Sequence, residues 1–561
     1  MSIWKGFSTY CMSSVLSSLI RLRPRPTNLL RLLWCLLLVW YEIGTFYHHV
    51  SQCTWPDSRL DSLDVPEASN VTEPTHVLLV ADPQILDQRS YPGRDPALMW
   101  LTQRIVDMNM RRSWRATQTL HPDVVVFLGD MMDGGRFAMS DPEYESYYNR
   151  FKDIFFMKKD IPVFYIPGNH DIGLGNSGAF SSNAYDRYQK HFGPLNQNVE
   201  IANHSFVMVN APGLVDEDND RAMKGVSYAR WAAAMPGGPI EFVYSTDAGH
   251  SETPTILLTH IPLARPEGSD CGPLREKWTI HQGVGFGYQN TLSDEASEFV
   301  LQALKPSAIF SGDDHDYCGY WHTLPGSNGR TVKEVSVKSF SMAMGVKVPG
   351  FQLLSLFPAS YSGKESFQDI PCFLPNQNRI YLSIYVPLVF FSLLSLLVSN
   401  FHRVKALDNS QTYWNSSGTD AMESWAEGRA YLDAGAWRAT TPTSIDEQVP
   451  LRKVSEAPNE DEDDEAYSLP VPGSSARRAF ARSRTCSKSW SFILWGRRRH
   501  MTLDSSCLSS VLSPFFYQDG RNPMDYRRSR AGFFRGVFRD VFDVAWPALV
   551  LFVLLAWWTF L

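Results

Sequence analysis

Positive charge is not in excess in this sequence. Its 561 residues carry 52 Lys and Arg against 59 Asp and Glu, a formal charge of -7, which argues against a nucleic-acid coat and leaves nucleic acid out of the expected partners. No internal repeat is found. Apolar residues are not scarce: 44% of the chain is hydrophobic, with 17 Trp, 33 Phe and 23 Tyr. That composition excludes a wholly disordered or collagen-like chain, and the length is enough to bury a large core.

Charge is nearly missing from three stretches. Ile380 to Val398 (IYLSIYVPLVFFSLLSLLV) is uncharged and bounded by Arg379 and by His402 and Arg403, long enough to cross a hydrocarbon layer of ~30 Å. Val544 to Leu561 closes the chain, with Trp557 and Trp558 placed where an interfacial aromatic belt lies. Leu32 to Tyr41 is apolar, is interrupted by Glu42, and approaches spanning length only by continuing through Tyr47. The expected spans are therefore 32–47, 379–399 and 544–561.

The first span follows Arg21, Arg23, Arg25 and Arg31 and shows no small-residue cleavage site, which favours an uncleaved signal anchor. Arg403 and Lys405 follow the second span, and Arg527, Arg528, Arg530, Arg535 and Arg539 precede the third. Cationic flanks mark the cytosolic side. Residues 1–31 and 400–540 are expected there, and 48–378 in a lumen. Sequons at Asn70 (NVT) and Asn203 (NHS) are compatible with that placement as glycosylation sites. So are Cys53, Cys271, Cys318 and Cys372, which allow two disulfides in any of three pairings. The 400–540 stretch is rich in Ser, Thr, Pro and charge, with an acidic run from Asn459 to Glu465 and basic clusters at Arg477, Arg478, Arg482, Arg484 and Arg497 to Arg499. It is expected to be largely disordered.

Residues 75–345 read as α/β. The runs HVLLVAD, DVVVFLGD, PVFYIPGN, SFVMVNA, TILLTH and SAIFSGD are short and β-branched, and each ends in polar residues. Between the first two, Leu98, Leu101, Ile105 and Met108 recur at helical spacing, which predicts a strand, helix, strand crossover.

Five of these ends carry residue types that ligate metals: Asp82 and Gln84 in ADPQ, Asp130 in LGDMMDGGR, Asn169, His170 and Asp171 in PGNHD, His260 in LTH, and Asp313 with His315 in SGDDH. Their order resembles the calcineurin-like metallophosphoesterase superfamily, with its D-x-H, G-D, G-N-H-[DE], lone H and G-H-x-H motifs. The resemblance implies a core of two stacked mixed sheets flanked by helices (α/β/β/α). It also implies two divalent cations, one held by Asp82, Gln84, Asp130 and His315 and the other by Asp130, Asn169, His260 and Asp313, with Asp130 shared. His170 would donate a hydrogen bond to the leaving oxygen or the developing charge, its ring oriented by Asp171. Asp133 and Gly134 would shape the turn after Asp130.

Two positions depart from the superfamily pattern: Gln84 and Asp313 stand where it has His. Both changes exchange nitrogen for oxygen, which favours Mn²⁺ or Mg²⁺ over Zn²⁺. Asp313 also leaves the loaded site one charge less positive than a His would, a pointer to phosphodiesters over dianionic monoesters. ADPQILD, SYPGR, FLGDMMDGGR, YIPGNHDIG, THIPLARPE and SGDDHDYCGYWH together resemble the membrane-bound branch that remodels GPI anchors, which carries DPQ and GDDHDYC as its own variants. That resemblance implies a manganese-dependent phosphodiesterase of the endoplasmic reticulum membrane, removing ethanolamine phosphate from a mannose of the GPI glycan. GPI-anchored proteins and their cargo receptors would be its partners. Arg265, Arg275 and Lys277 would contact phosphate or glycan hydroxyls. The alternatives are a membrane-tethered phosphatase of other substrates and a non-catalytic adaptor for sorting GPI-anchored proteins.

Overall fold

The computed structural model describes residues 26–57, 73–175, 177–246, 253–357, 366–406, 409, 487–494, 497–504 and 530–560. Asn70 and most of the 400–540 stretch lie outside them. The described chain divides into two compact units, one of residues 29–394 with 543–561, the other of residues before 29 with 395–542.

The strands of the first unit are, in chain order, β1 (Thr75–Val80), β2 (Val124–Phe127), β3 (Val163–Tyr165), β4 (Gln197–Ile201), β5 (His204–Val209), β6 (Thr255–Thr259), β7 (Val284–Gly285), β8 (Tyr288–Gln289), β9 (Ala308–Ser311), β10 (Cys318–Thr323), β11 (Thr331–Ser336), β12 (Gly350–Leu356) and β13 (Phe367–Phe373). They form a five-stranded sheet, order β13-β12-β1-β2-β3, and a six-stranded sheet, order β10-β11-β9-β6-β5-β4, with β7 and β8 as a separate hairpin. Both large sheets are mixed: β1, β2 and β3 run parallel, as do β5, β6, β9 and β11, while the β1–β12, β12–β13, β4–β5 and β10–β11 pairs are antiparallel.

Period-two alternation explains why these strands read as continuous apolar runs. Val77 and Leu79 of β1, Val126 of β2, Met208 of β5, Leu258 of β6 and Phe310 of β9 interdigitate in one core between the sheets. Their neighbours Leu78, Val80, Val125 and Phe127 face a second core, under helices, while Val207, Leu257 and Ile309 face a third. A strand buried on both faces has no polar side. The result is the expected α/β/β/α sandwich.

The helices that matter for the site are α1 (Pro26–Ser51), α2 (Pro96–Thr117), α3 (Asp141–Ile154), α4 (Ala211–Met223), α5 (Asp294–Leu304), α6 (Gln377–Ala406) and α7 (Gly532–Phe560). α2 starts where Asp95 Oδ1 accepts from the amides of Ala97 and Leu98, with Pro96 in the first turn. It packs on the five-stranded sheet through Met99, Val106, Met110 and Trp114. α1, α6 and α7 are long and apolar enough to cross a membrane. Each is longer than the expected span, because the helical backbone continues past the uncharged core into polar flanks. Glu42 is tolerated inside α1 because it is fully buried and ion-paired with Arg112 of α2.

Disulfides join Cys53 to Cys372 and Cys271 to Cys318. The first ties the end of α1 to β13, beside the entry to α6. In the second unit, Asn400 and Arg403 meet Asp540 at 2.9 and 3.3 Å, and β14 (Ser487–Leu494) pairs antiparallel with β15 (Arg497–Asp504).

Candidate metal centre

Every candidate ligand sits just beyond the carboxyl end of a strand. Asp82 and Gln84 follow β1, Asp130 follows β2, Asn169 follows β3, His260 follows β6, and Asp313 and His315 follow β9. Those ends point one way because the five strands run parallel within their sheets, so stacking the sheets brings the loops together.

The loops are bent hard to deliver their side chains. Asp82, Gln84, Asp130, Asp313 and His315 have φ of 47, 35, 56, 63 and 67°, in the left-handed region that L residues seldom occupy. Such backbone costs about 1–3 kcal/mol per residue and persists where the surroundings over-determine it. Two glycines make room. A Cβ on Gly168 would overlap Asp130 Oδ1, and one on Gly129, itself at φ +93°, would overlap the ring of His260.

Asp82, Asp130 and His260 each offer a ligand atom, all within 4.8 Å of one another and all buried. His260 Nδ1 lies 2.7 Å from the carbonyl of Leu128. Only a donor can face a carbonyl at that distance, so Nδ1 carries a proton and Nε2 is the nitrogen aimed into the site. Nε2 then faces Asn169 Oδ1 at 3.1 Å, Asp130 Oδ1 at 3.4 Å and Asp313 Oδ1 at 3.5 Å, so that the oxygens converge on one nitrogen. Two further buried donor atoms, Asp82 Oδ2 and His315 Nε2, have no hydrogen-bond partner among the described residues. Gln84 lies with its amide 2.5 Å from Asp130 Oδ2, and half a turn about its last torsion presents the carbonyl oxygen instead. This set of carboxylates, amide oxygens and imidazoles fits divalent cations with a preference for oxygen.

The electrostatics agree. Burial pushes the Asp82 carboxyl well above its usual range, and Asp130 and Asp313 add to that against the pull of His260. Burial holds His315 down to about 4, so its imidazole is neutral and able to ligate. Asp130 stays ionised against its burial because His260 and His170 face it. A site that concentrates carboxylates this way is repulsive without a positive charge at its centre.

Residues 75–317 match the family described as calcineurin-like phosphoesterase. The Saccharomyces cerevisiae protein named Cell division control protein 1 is 35% identical over 377 residues, 64% of this chain and 72% of its own. Metallophosphoesterase 1 homolog of Drosophila melanogaster is 26% identical over 345 residues, 58% of this chain and 82% of its own, and Metallophosphoesterase 1 of Danio rerio is 25% identical over 399 residues, 68% and 92%. The chain belongs to the calcineurin-like phosphoesterases. It is a metal-dependent phosphoesterase with divalent cations as cofactors.

In this phosphoesterase His170 stands beside the ligands, with its amide donating to Asp130 Oδ1 at 2.9 Å. Its ring partner differs from the expected one. Asp171 accepts from the amides of Asp130, Gly168 and Met132 at 2.8, 2.9 and 3.1 Å and is fully buried, so it braces the two ligand loops against each other. The residue that holds the His170 ring is Asp133, whose carbonyl and Oδ1 lie 2.7 and 3.2 Å from Nδ1. Sequence reading assigned Asp133 to the turn alone. The available signal was its place three residues after Asp130, one turn that returns the side chain toward the site.

The basic residues expected to meet substrate are occupied elsewhere. Arg265 is fully buried and pairs with Glu334 at 2.8 Å, which leaves its guanidinium closed off from solvent. Arg275 pairs with Asp314 at 2.5 Å, and Lys277 Nζ donates to the Asp314 carbonyl at 3.2 Å, so both fasten the loop that carries Asp313 and His315. Asn203 is exposed at the tip of the β4–β5 hairpin with φ 57°, an accessible position for its sequon.

Other features escaped the sequence reading. Arg136 is buried, and its Nη1 donates to the carbonyl of Gly287 at 2.9 Å, the same oxygen that accepts from Asn169 Nδ2 at 2.8 Å. The β7–β8 hairpin is thereby seated on a ligand. The excursion from Arg265 to Leu292 touches the ligand loops at both ends, through Arg275 and Gly287, and it exposes Trp278 (93%), Phe286 and Tyr288 to solvent.

Proposed function

We propose that this phosphoesterase is a manganese-dependent phosphodiesterase of the endoplasmic reticulum lumen that removes ethanolamine phosphate from a mannose of the GPI-anchor glycan. The observation that carries the reading is the coincidence, in one chain, of an oxygen-rich metal centre, two disulfides and helices long and apolar enough to cross a membrane. Disulfides persist in oxidising compartments; Cys53–Cys372 encloses the whole catalytic segment, and Cys271–Cys318 lies within it. Helices at both ends of that segment hold it beside a lipid-anchored substrate, which raises effective concentration. The likeness of its motifs to the GPI-remodelling branch supplies the substrate class.

When bound, the two cations supply Lewis-acid polarisation and acidify water at neutral pH. Asp82, Gln84, Asp130 and His315 would hold one, and Asp130, Asn169, His260 and Asp313 the other. Gln84 and Asp313 make the set harder than one with two more imidazoles, which supports manganese. His170 works from the side. With Nδ1 tied to Asp133, its Nε2 is the atom left to donate, and although burial pulls it down, Asp130 and Asp133 hold the ring's pKa at about 9. Held this way, Nε2 is placed to donate to a phosphoryl or leaving oxygen. Trp278, Phe286 and Tyr288 give flat apolar faces against which a sugar ring packs.

The test is turnover of ethanolamine-phosphate-bearing GPI glycan by the full chain loaded with Mn²⁺, with released phosphoethanolamine read by mass spectrometry. Metal-loaded protein that leaves this diester intact while hydrolysing simple phosphomonoesters would replace the reading with that of a membrane-tethered phosphatase.

A further inference from the structure

α2 carries two apolar faces. The one that packs on the sheet is Met99, Val106, Met110 and Trp114. The spacing visible in the sequence, Leu98, Leu101 and Ile105, belongs to the other, and Leu98 and Leu101 remain 52% and 46% exposed, beside Trp100 at 56%. An amphipathic helix on a sheet needs one stripe. The second calls for a second environment.

The C-terminal half of that outer face shows what the environment is. Arg112 pairs with Glu42 of α1, whose other oxygen accepts from Tyr385 of α6 at 2.8 Å, and Arg112 Nε donates to Thr559 of α7 at 3.3 Å. Arg115 donates to the carbonyl of Trp558 at 2.8 Å, and Arg104 and Arg111 lie over the Phe560 ring at 5.7 and 5.1 Å. From Arg104 to Arg115 the helix advances about 16 Å at 1.5 Å per residue, yet all four cations reach the last turn of α7. α2 therefore crosses the end of α7 rather than running along it. The end of a membrane-crossing helix lies at the lipid–water boundary, so α2 lies across that boundary.

At 3.6 residues per turn, Trp100 falls within about 60° of Arg104, Arg111 and Arg115, and Leu101 and Leu98 fall within the same half of the helix. The exposed stretch is thus the direct continuation of the face that meets the membrane helices. Arg104 also lies 5.7 Å over the Trp100 ring. Trp and Leu backed by Arg is the residue set of an interfacial helix, with apolar groups among the upper acyl carbons and cations at the phosphates.

We infer that the first turns of α2, through Leu98, Trp100 and Leu101, are seated in the headgroup layer of the bilayer that α1, α6 and α7 cross. The catalytic unit then rests on the lipid surface as well as being tethered to it, and its height above the membrane is fixed. This contact does not depend on the identity of the substrate.

The experiment places the photocrosslinker p-benzoyl-phenylalanine at position 100, and separately at 98 and 101, in the full chain reconstituted in phosphatidylcholine nanodiscs. Lipid adducts are counted by mass spectrometry after irradiation. Leu549, exposed on α7, serves as the lipid-facing reference, and Met223, exposed at the end of α4 on the opposite layer of the sandwich, as the solvent reference. We expect adducts at 98, 100 and 101 several-fold above Met223 and comparable to Leu549. Adducts at the Met223 level at all three positions, in particles where Leu549 labels, would overturn the inference, as would capture of a protein in place of lipid.

Discussion

His170 Nδ1 lies 2.7 Å from the carbonyl of Asp133 and 3.2 Å from its carboxylate, so the side chain that faces the metal centre is held from behind by a residue three positions after the shared ligand Asp130. Replacing Asp133 by Asn keeps the size and removes the charge. The pKa of His170 is held up by Asp130 and Asp133. The ring donates only while protonated, so activity that needs it falls as pH rises through its pKa. Asp133→Asn should therefore shift the alkaline limb of the kcat profile to lower pH and cost about 10–100-fold in kcat at pH 8. Metal content by elemental analysis should stay unchanged. An unmoved alkaline limb would show that Asp133 does not hold the ring.

His170→Ala removes the donor itself. A positioned acid contributes about 10²–10⁴-fold, and the loss should appear in kcat with the cations retained. A variant within twofold of the parent would show that Nε2 donates nothing to the reaction.

Asp130→Asn should empty both metal positions. Asp130 contacts Gln84, the His170 amide and Nε2 of His260, so no other side chain can take its place between the two ligand sets. Inductively coupled plasma measurement should find the loss, and chelation of the parent should lower its melting temperature toward that of the variant, since cations that bind only the folded site stabilise it. A variant that keeps one full equivalent of manganese would refute the shared-ligand role.

The metal centre is legible in the sequence because each ligand follows an apolar, β-branched run, and parallel strands gather their ends without help from distant contacts. Asp133 is not, because its role rests on where a turn carries a side chain, and a turn residue and an orienting residue look alike in sequence. Arg265 misled for a related reason: a cation in a polar loop reads as solvent-facing, and its partner Glu334 comes 69 residues later on β11. The helix across Pro96–Thr117 was visible, but its face was not, since two apolar stripes overlap there and only the tertiary fold says which meets the sheet.

If the proposed glycan substrate is right, Trp278→Ala should raise KM for it several-fold and leave turnover of bis(4-nitrophenyl) phosphate unchanged. The side chain is 93% exposed, so its loss should not disturb folding. Equal effects on both substrates would place Trp278 outside the recognition of the sugar.

Arg265 separates a structural from a substrate role most sharply. Its guanidinium meets Glu334 at 2.8 Å, and His322 Nε2 meets the same carboxylate oxygen at 2.6 Å, all three fully or nearly fully buried. Burial alone would push the Glu334 carboxyl up, but Arg265, His322 and Ser311 overcome it and hold it at about 2. A carboxyl depressed in the folded state stabilises fully above its ordinary 4.5, and that contribution is lost as pH falls through about 2. Arg265→Ala leaves a buried carboxylate short of its main partner, which costs about 3–5 kcal/mol. The variant should melt lower at pH 7, and the deficit should shrink as pH drops from 4.5 toward 2 and the parent loses the same ion pair. KM of the folded fraction should not move. A variant as stable as the parent with a raised KM would put Arg265 at the substrate, against its burial with Glu334.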